Sequence, residues 1–332
     1  MSEILRQDRM VRTVDGIDVA IREVTPASGA RAGAVPVVLL HGTRIPGISE
    51  YDLPVPGGSL AEELGRAGHV SLILDARGFG RSDRPALMSR PPQESRPYAR
   101  SVEILRDVEA AVQAAPKADA DGRVALMGWG VGATIMLMYA ALWPEKVSHV
   151  ILYNVLYGGG TAHDRYKGHP LEDPQRPGRF NAAHYGGYSY NFPDMLMKKW
   201  DESIPVAEKD QWRDPAVAEA FAQALLDGDP TSAERSPPSY RSPNGMLEDS
   251  YYIGKGRKLV DACLVQCKVL IIRPGLDYFS RWEDITTLRA DLVNAERVDL
   301  WEPPEATHFV ILDRAERGRS EAIATITRFL GS

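Results

Sequence analysis

Cysteine is nearly absent: Cys263 and Cys267 are the only two in 332 residues. That is too few for a disulfide framework, and no second ligand pair accompanies them as a structural zinc site requires. Their spacing predicts one face of a helix, with both thiols reduced and packed near the core. Long apolar runs are also missing, since none approaches the roughly 18 residues of a membrane span. The opening stretch MSEILRQDRMVRTVDG has neither the apolar segment nor the small-residue cleavage site of a leader, so a cytoplasmic location is expected. Positive charge is not in excess: 39 Lys and Arg face 45 Asp and Glu, a formal net charge of −6. Such a balance leaves no electrostatic footprint for nucleic acid or an anionic membrane. The expected partner is a small-molecule substrate, with no metal and no cofactor, and the oligomeric state stays open. No internal repeat, heptad or low-complexity tract stands out.

What is present is an alternation of apolar runs and amphipathic stretches. The length suits two domains, or one large α/β domain with an insertion. Asp15-Gly16 lies between two strand-like segments and favours a tight hairpin turn. Strands are then predicted at Val35 to Leu40, His69 to Leu74, Arg123 to Met127, Val147 to Tyr153, Lys268 to Ile272 and Val298 to Trp301. Helices are predicted at Ser59 to Ala67, Tyr98 to Ala115, Ala133 to Leu142, Glu283 to Val293 and Arg317 to Leu330. Continuous apolar strands separated by helices imply a mostly parallel, doubly wound sheet covered on both faces. The alternation stops at Tyr157-Gly158-Gly159-Gly160. Residues 157–262 are rich in Pro, Gly, Asp and aromatics, too long for a loop and too apolar for a linker. They are expected as an inserted, mainly helical cap between core segments 1–156 and 263–332. His163, His169 and His184 within it lack metal-like spacing and are expected to be solvated loop residues.

The segment Gly128-Trp129-Gly130-Val131-Gly132 has the frame of a nucleophile elbow, where a strand turns sharply into a helix and presents a reactive side chain at the apex. Here the apex residue is Gly130, so the scaffold for nucleophilic catalysis carries no sulfur or oxygen. Thr134 lies a helical turn away, and its hydroxyl is expected to bond back to the helix backbone rather than replace the nucleophile.

Together with His41-Gly42-Thr43-Arg44, the loop Asp75-Ala-Arg-Gly-Phe-Gly-Arg-Ser-Asp83, and a late Asp and His, the elbow resembles the α/β-hydrolase family, in particular its capped members. The resemblance covers nearly the whole chain outside 157–262. It implies an acid at Asp277, after the penultimate core strand, and a histidine at His308, just past the last. An aspartate that accepts the imidazole Nδ1–H leaves Nε2 free to take a proton. The resemblance also implies an oxyanion site from the backbone N–H groups of Thr43 and Val131. Arg44, Trp129, Tyr157 and Tyr278 are candidate substrate contacts. Arg44 and Arg77 could both hold a substrate carboxylate or enolate, although the family suggests that Arg77 braces its own loop.

The implied activity is hydrolysis or acyl transfer of an ester, thioester or lactone, with the nucleophile position vacant. Gly130 fits either an inactivated variant of a Ser or Cys enzyme or a native non-covalent mechanism. A cofactor-free lyase or cyclase using the His308-Asp277 dyad as base is the second reading. A non-catalytic binding protein is the third, and retention of both the acid and the histidine counts against it.

Overall fold

Asp15-Gly16 does close a hairpin: β1 (Ile4–Arg12) and β2 (Asp18–Pro26) pair antiparallel from Ile4↔Pro26 to Arg12↔Asp18. The computed structural model describes residues 3–117, 121–160, 162–163, 166 and 168–332. The chain continues through β3 (Val37–Leu40), α1 (Gly47–Tyr51), α2 (Leu60–Arg66) and β4 (Ser71–Leu74). α3 (Ser101–Ala114), β5 (Val124–Trp129), α4 (Val131–Leu142) and β6 (Val147–Tyr153) follow. Next come α5 (Ala182–Tyr185), β7 (Tyr188–Asn191), α6 (Pro193–Ser203), α7 (Pro215–Asp227), β8 (Tyr240–Pro243) and α8 (Gly245–Gly254). β9 (Lys268–Ile272), α9 (Trp282–Asp291), β10 (Arg297–Trp301) and α10 (Arg319–Leu330) complete the chain.

The main sheet runs β1-β2-β4-β3-β5-β6-β9-β10. It is antiparallel only through β2, and parallel from β4 to β10. Strand side chains alternate between faces, so β5 feeds two cores at once. Val124 and Leu126 pack with Ile104, Val108 and Met136 on one face, while Ala125, Met127 and Trp129 pack with Leu64, Phe221 and Ile326 on the other. Burial on both faces is why these strands are apolar throughout rather than alternating.

Segment 157–262 contributes the helices α5 to α8 and one feature that the sequence reading did not include, a two-stranded antiparallel sheet of β7 and β8. Positions 161, 164, 165 and 167 of that segment lie outside the described residues. It is joined to the core by shared packing: Trp200 of α6 and Phe221 of α7 sit in the same cluster as Phe309. A smaller cluster of Tyr166, Leu171, Phe180, Leu247 and Tyr251 belongs to the segment itself.

The cysteines do not share a helix face. Cys263 lies in a short turn, Ala262–Leu264, and Cys267 immediately precedes β9. The four-residue spacing spans a turn and an extended link instead. Among the described residues, no helix is long and apolar enough to cross a membrane.

Candidate active site

In a parallel sheet every strand delivers its following loop to one edge. β3 leads into His41-Gly42-Thr43-Arg44, β5 into Gly130, β6 into Asn154, β9 into the Asp277 loop and β10 into the His308 loop. Asp277 and His308 meet there, with His308 Nδ1 2.6 Å from Asp277 Oδ1. The Asp277 side chain is fully buried, and its carboxylate also accepts the backbone N–H groups of Phe279 and Ser280, each at 2.9 Å. Three donors thus hold it in place.

His308 is pinned on its other side by Trp129, whose indole N–H donates to His308 Nε2 at 3.1 Å. An indole nitrogen can only donate, so Nε2 is the acceptor and the ring proton lies on Nδ1. That is the tautomer a base needs. The His308 carbonyl is anchored in turn by Tyr153 Oη at 2.5 Å and Asn154 Nδ2 at 2.8 Å. Asn154 takes φ 54° to do so, an uncommon conformation that asparagine tolerates better than most residues.

Gly130 occupies the turn between β5 and α4 with φ 59° and ψ −119°, a region that favours glycine. Its N–H donates to Tyr153 O at 2.8 Å. A Cβ placed on Gly130 would meet Phe279 Cε1 at 3.4 Å and nothing nearer, so the space where a nucleophile would project is open. Gly132 explains the tight packing behind the turn, since a Cβ there would fall 2.3 Å from His41 O. Thr43 lines the cavity in front of Gly130, and Val131 opens α4 directly behind it. Among the described residues neither backbone N–H has a protein acceptor.

The cavity measures about 320 Å³. The core walls include Thr43, Arg44, Trp129, Gly130, Tyr278 and His308, and segment 157–262 closes it with Tyr166, His169, Leu171, Met195, Lys199 and Leu247. Arg44 Nη1 donates to Asn191 Oδ1 at 2.6 Å. The Tyr278 ring lies 4.7 Å from that of His308 and 5.9 Å from Lys199 Nζ.

Several expectations need correcting. Tyr157 is buried away from the cavity, with its hydroxyl donating to Asp291 Oδ2 at 2.6 Å and accepting the Ala262 N–H at 3.1 Å. The chain has already turned off the sheet edge there. His169, expected to be solvated, lines the cavity, because its loop folds back over the sheet edge. Thr134 donates to Leu156 O at 2.6 Å, a tie to the loop after β6 rather than to its own helix. Arg77 does not reach the cavity. It forms a bidentate pair with Asp107 and a second with Asp15, the bracing role that the family suggested. Burial pushes the Asp107 carboxyl up to about 6 even so.

Glu50, on α1, is the main residue missed. It is fully buried, lines the cavity, and accepts the Gly42 N–H with both oxygens at 3.1 and 3.0 Å. Burial pushes this carboxyl well above the ordinary carboxylic range, the Gly42 N–H only partly opposing it. No spacing rule marks it, because α1 is one short turn whose approach to the loop after β3 is a tertiary event.

The sequence profile of the alpha/beta hydrolase family matches residues 37–318. Among solved structures, E-2-(acetamidomethylene)succinate hydrolase is 16% identical with a TM-score of 0.62, over 99% of this chain and 100% of that one. A thermophilic esterase from Thermogutta terrifontis with malate bound is 16% identical with a TM-score of 0.62, over 98% and 100%. The thioesterase domain from the curacin biosynthetic pathway is 14% identical with a TM-score of 0.59, over 99% and 100%. At these identities the likeness is one of fold.

Proposed function

The chain belongs to the alpha/beta hydrolase family, and from that premise we propose a hydrolase-type enzyme that cleaves an ester, thioester or lactone bond of a small molecule without a covalent acyl-enzyme. The observation that carries this reading is the 2.6 Å His308–Asp277 pair on the cavity that also exposes Gly130. In this reading water stands over Gly130. His308 Nε2 takes its proton as the oxygen attacks the substrate carbonyl, the Trp129 contact opening as the imidazole charges. The Thr43 and Val131 N–H groups hold the oxyanion. The same proton then passes to the leaving oxygen or sulfur as its bond to carbon breaks. Residues 157–262 act as the cap that shields this step from bulk water, and Arg44, Trp129 and Tyr278 contact the substrate.

A second reading shares the site. With no nucleophile side chain at position 130, His308 can instead remove an acidic proton next to the carbonyl while the same donors hold the enolate, as in a lyase or cyclase. Turnover in ¹⁸O-labelled water separates the two, because only hydrolysis places the label in the acid product. In either case His308→Ala abolishes turnover. Asp277→Asn lowers the rate by about 10⁴ with binding largely retained, as when an imidazole loses its orienting carboxylate. Unchanged turnover in His308→Ala would overturn both readings and move the chain to the non-catalytic binding class.

A further inference from the structure

Glu50 is an acid without a cation. Among the described residues no Lys, Arg or His pairs with it, and its hydrogen-bond partner is the Gly42 N–H. A Cβ on Gly42 would lie 3.0 Å from Glu50 Oε1 and 3.5 Å from the Trp129 carbonyl oxygen, so the carboxyl stands beside the backbone that leads into Gly130. An isolated carboxylate at such a site carries a large desolvation cost, whereas a neutral acid does not. A neutral carboxyl accepts the Gly42 N–H with one oxygen and has an O–H left on the other. The cavity that Glu50 lines gives that hydrogen room to reach a bound oxygen.

We propose that the Glu50 carboxyl is a third hydrogen-bond donor to the substrate oxygen, beside the backbone N–H groups of Thr43 and Val131. The proposal rests on the reading of this cavity as a carbonyl site. A protonated carboxylic acid serves an oxyanion well because its hydrogen bond strengthens as the negative charge develops. The proton stays on Glu50 throughout, so the group binds the oxygen rather than transferring to it. The substrate class follows from this: a compound whose reacting oxygen becomes an oxyanion or enolate, with no cation needed beside it.

The test reads Glu50 without turnover. The infrared difference spectrum of wild type minus Glu50→Gln at neutral pH should contain the carbonyl band of a protonated carboxylic acid. An oxyanion probe, 3-fluoro-4-nitrophenolate, should bind wild type about tenfold or more tightly than Glu50→Ala, the range of one charge-assisted hydrogen bond. Glu50→Gln keeps an acceptor for Gly42 and a donor for the cavity, and should recover most of that affinity. A carboxylate spectrum at neutral pH, no phenolate binding by wild type, or equal affinity in Glu50→Ala overturns the proposal. Retained band and affinity alongside unchanged turnover in His308→Ala would instead leave the donor standing and remove the base.

Discussion

Both ring nitrogens of His308 have fixed partners: Nδ1 faces Asp277, with Asn154 Nδ2 also 3.0 Å away, and Nε2 faces Trp129. The contact at Nε2 matters as much as those at Nδ1. On the proposed mechanism Trp129 occupies the lone pair that takes the proton, and it is buried against Tyr153 and Phe309 at ring distances of 4.7 and 5.5 Å, so the contact opens by a shift of the imidazole rather than of the indole. Trp129→Phe keeps an aromatic ring and deletes the N–H. The expected result is faster turnover, by about fivefold for one neutral hydrogen bond of ~1 kcal/mol, measured as kcat at fixed pH. A slower variant would mean that the indole N–H serves the substrate rather than restraining the base. The meeting of Asp277 and His308 was legible because the family resemblance placed each after a core strand, at the edge where a parallel sheet gathers its loops. The direction of the Trp129 N–H, the Asn154 turn and the burial of Glu50 were not, since each depends on contacts between segments far apart in the chain. Tyr157 shows the converse: an aromatic just past a strand end looked like a pocket residue, and the backbone had already carried it away.

At the scale of elements, buried carboxylates tie the loops around the site. Asp313 accepts Trp200 Nε1 of α6 at 2.8 Å and Thr307 Oγ1, next to His308, at 2.6 Å. It therefore links the segment over the cavity to the loop that carries the imidazole. Burial raises its carboxyl from the ordinary 3.8 to about 7, its hydrogen-bond donors only partly opposing this. Between those two values the folded chain binds more protons at this site than the unfolded chain does. The contribution of Asp313 to stability is therefore fully present below about pH 4 and is lost as pH rises toward 7, after which it is level. Asp313→Asn does not titrate and escapes this loss. Denaturant melts at pH 4 and pH 8 should show the variant gaining on wild type by a few kcal/mol across that interval. A constant difference between the two would show that Asp313 is ionised throughout. Apart from β1, which begins well before the segment read as a strand, and α1, which was not predicted, the core strands and helices were legible to within a few residues because their apolar periodicity was strong. β7 and β8 were not, being four-residue strands of mixed polarity that only their pairing defines.

For the whole molecule, the sheet edge and segment 157–262 enclose a cavity at the carboxyl ends of the parallel strands. The family membership was legible from four motifs in order, whereas the part of segment 157–262 that reaches the cavity was not, because tertiary packing decides which faces of α6 and α8 and which loop residues turn toward the sheet edge. The proposed function has a site assembled as in a nucleophilic hydrolase with only the nucleophile missing, so that turnover proceeds without an acyl-enzyme. Gly130→Ser tests this directly. The backbone already has the strained apex conformation, and the nearest obstacle to a Cβ is Phe279 Cε1 at 3.4 Å, an ordinary contact. The cost of a side chain at that φ is about 1–3 kcal/mol, small enough for the variant to fold. The measurement is the pre-steady-state release of 4-nitrophenol from an activated ester sized for the cavity, with the acyl group followed by intact-protein mass. Wild type should release product linearly with no mass increment, and Gly130→Ser should give a burst equal to its concentration together with one acyl increment on Ser at 130. A burst and an acyl adduct in wild type, or a folded Gly130→Ser protein that takes up no acyl group, would overturn the non-covalent mechanism.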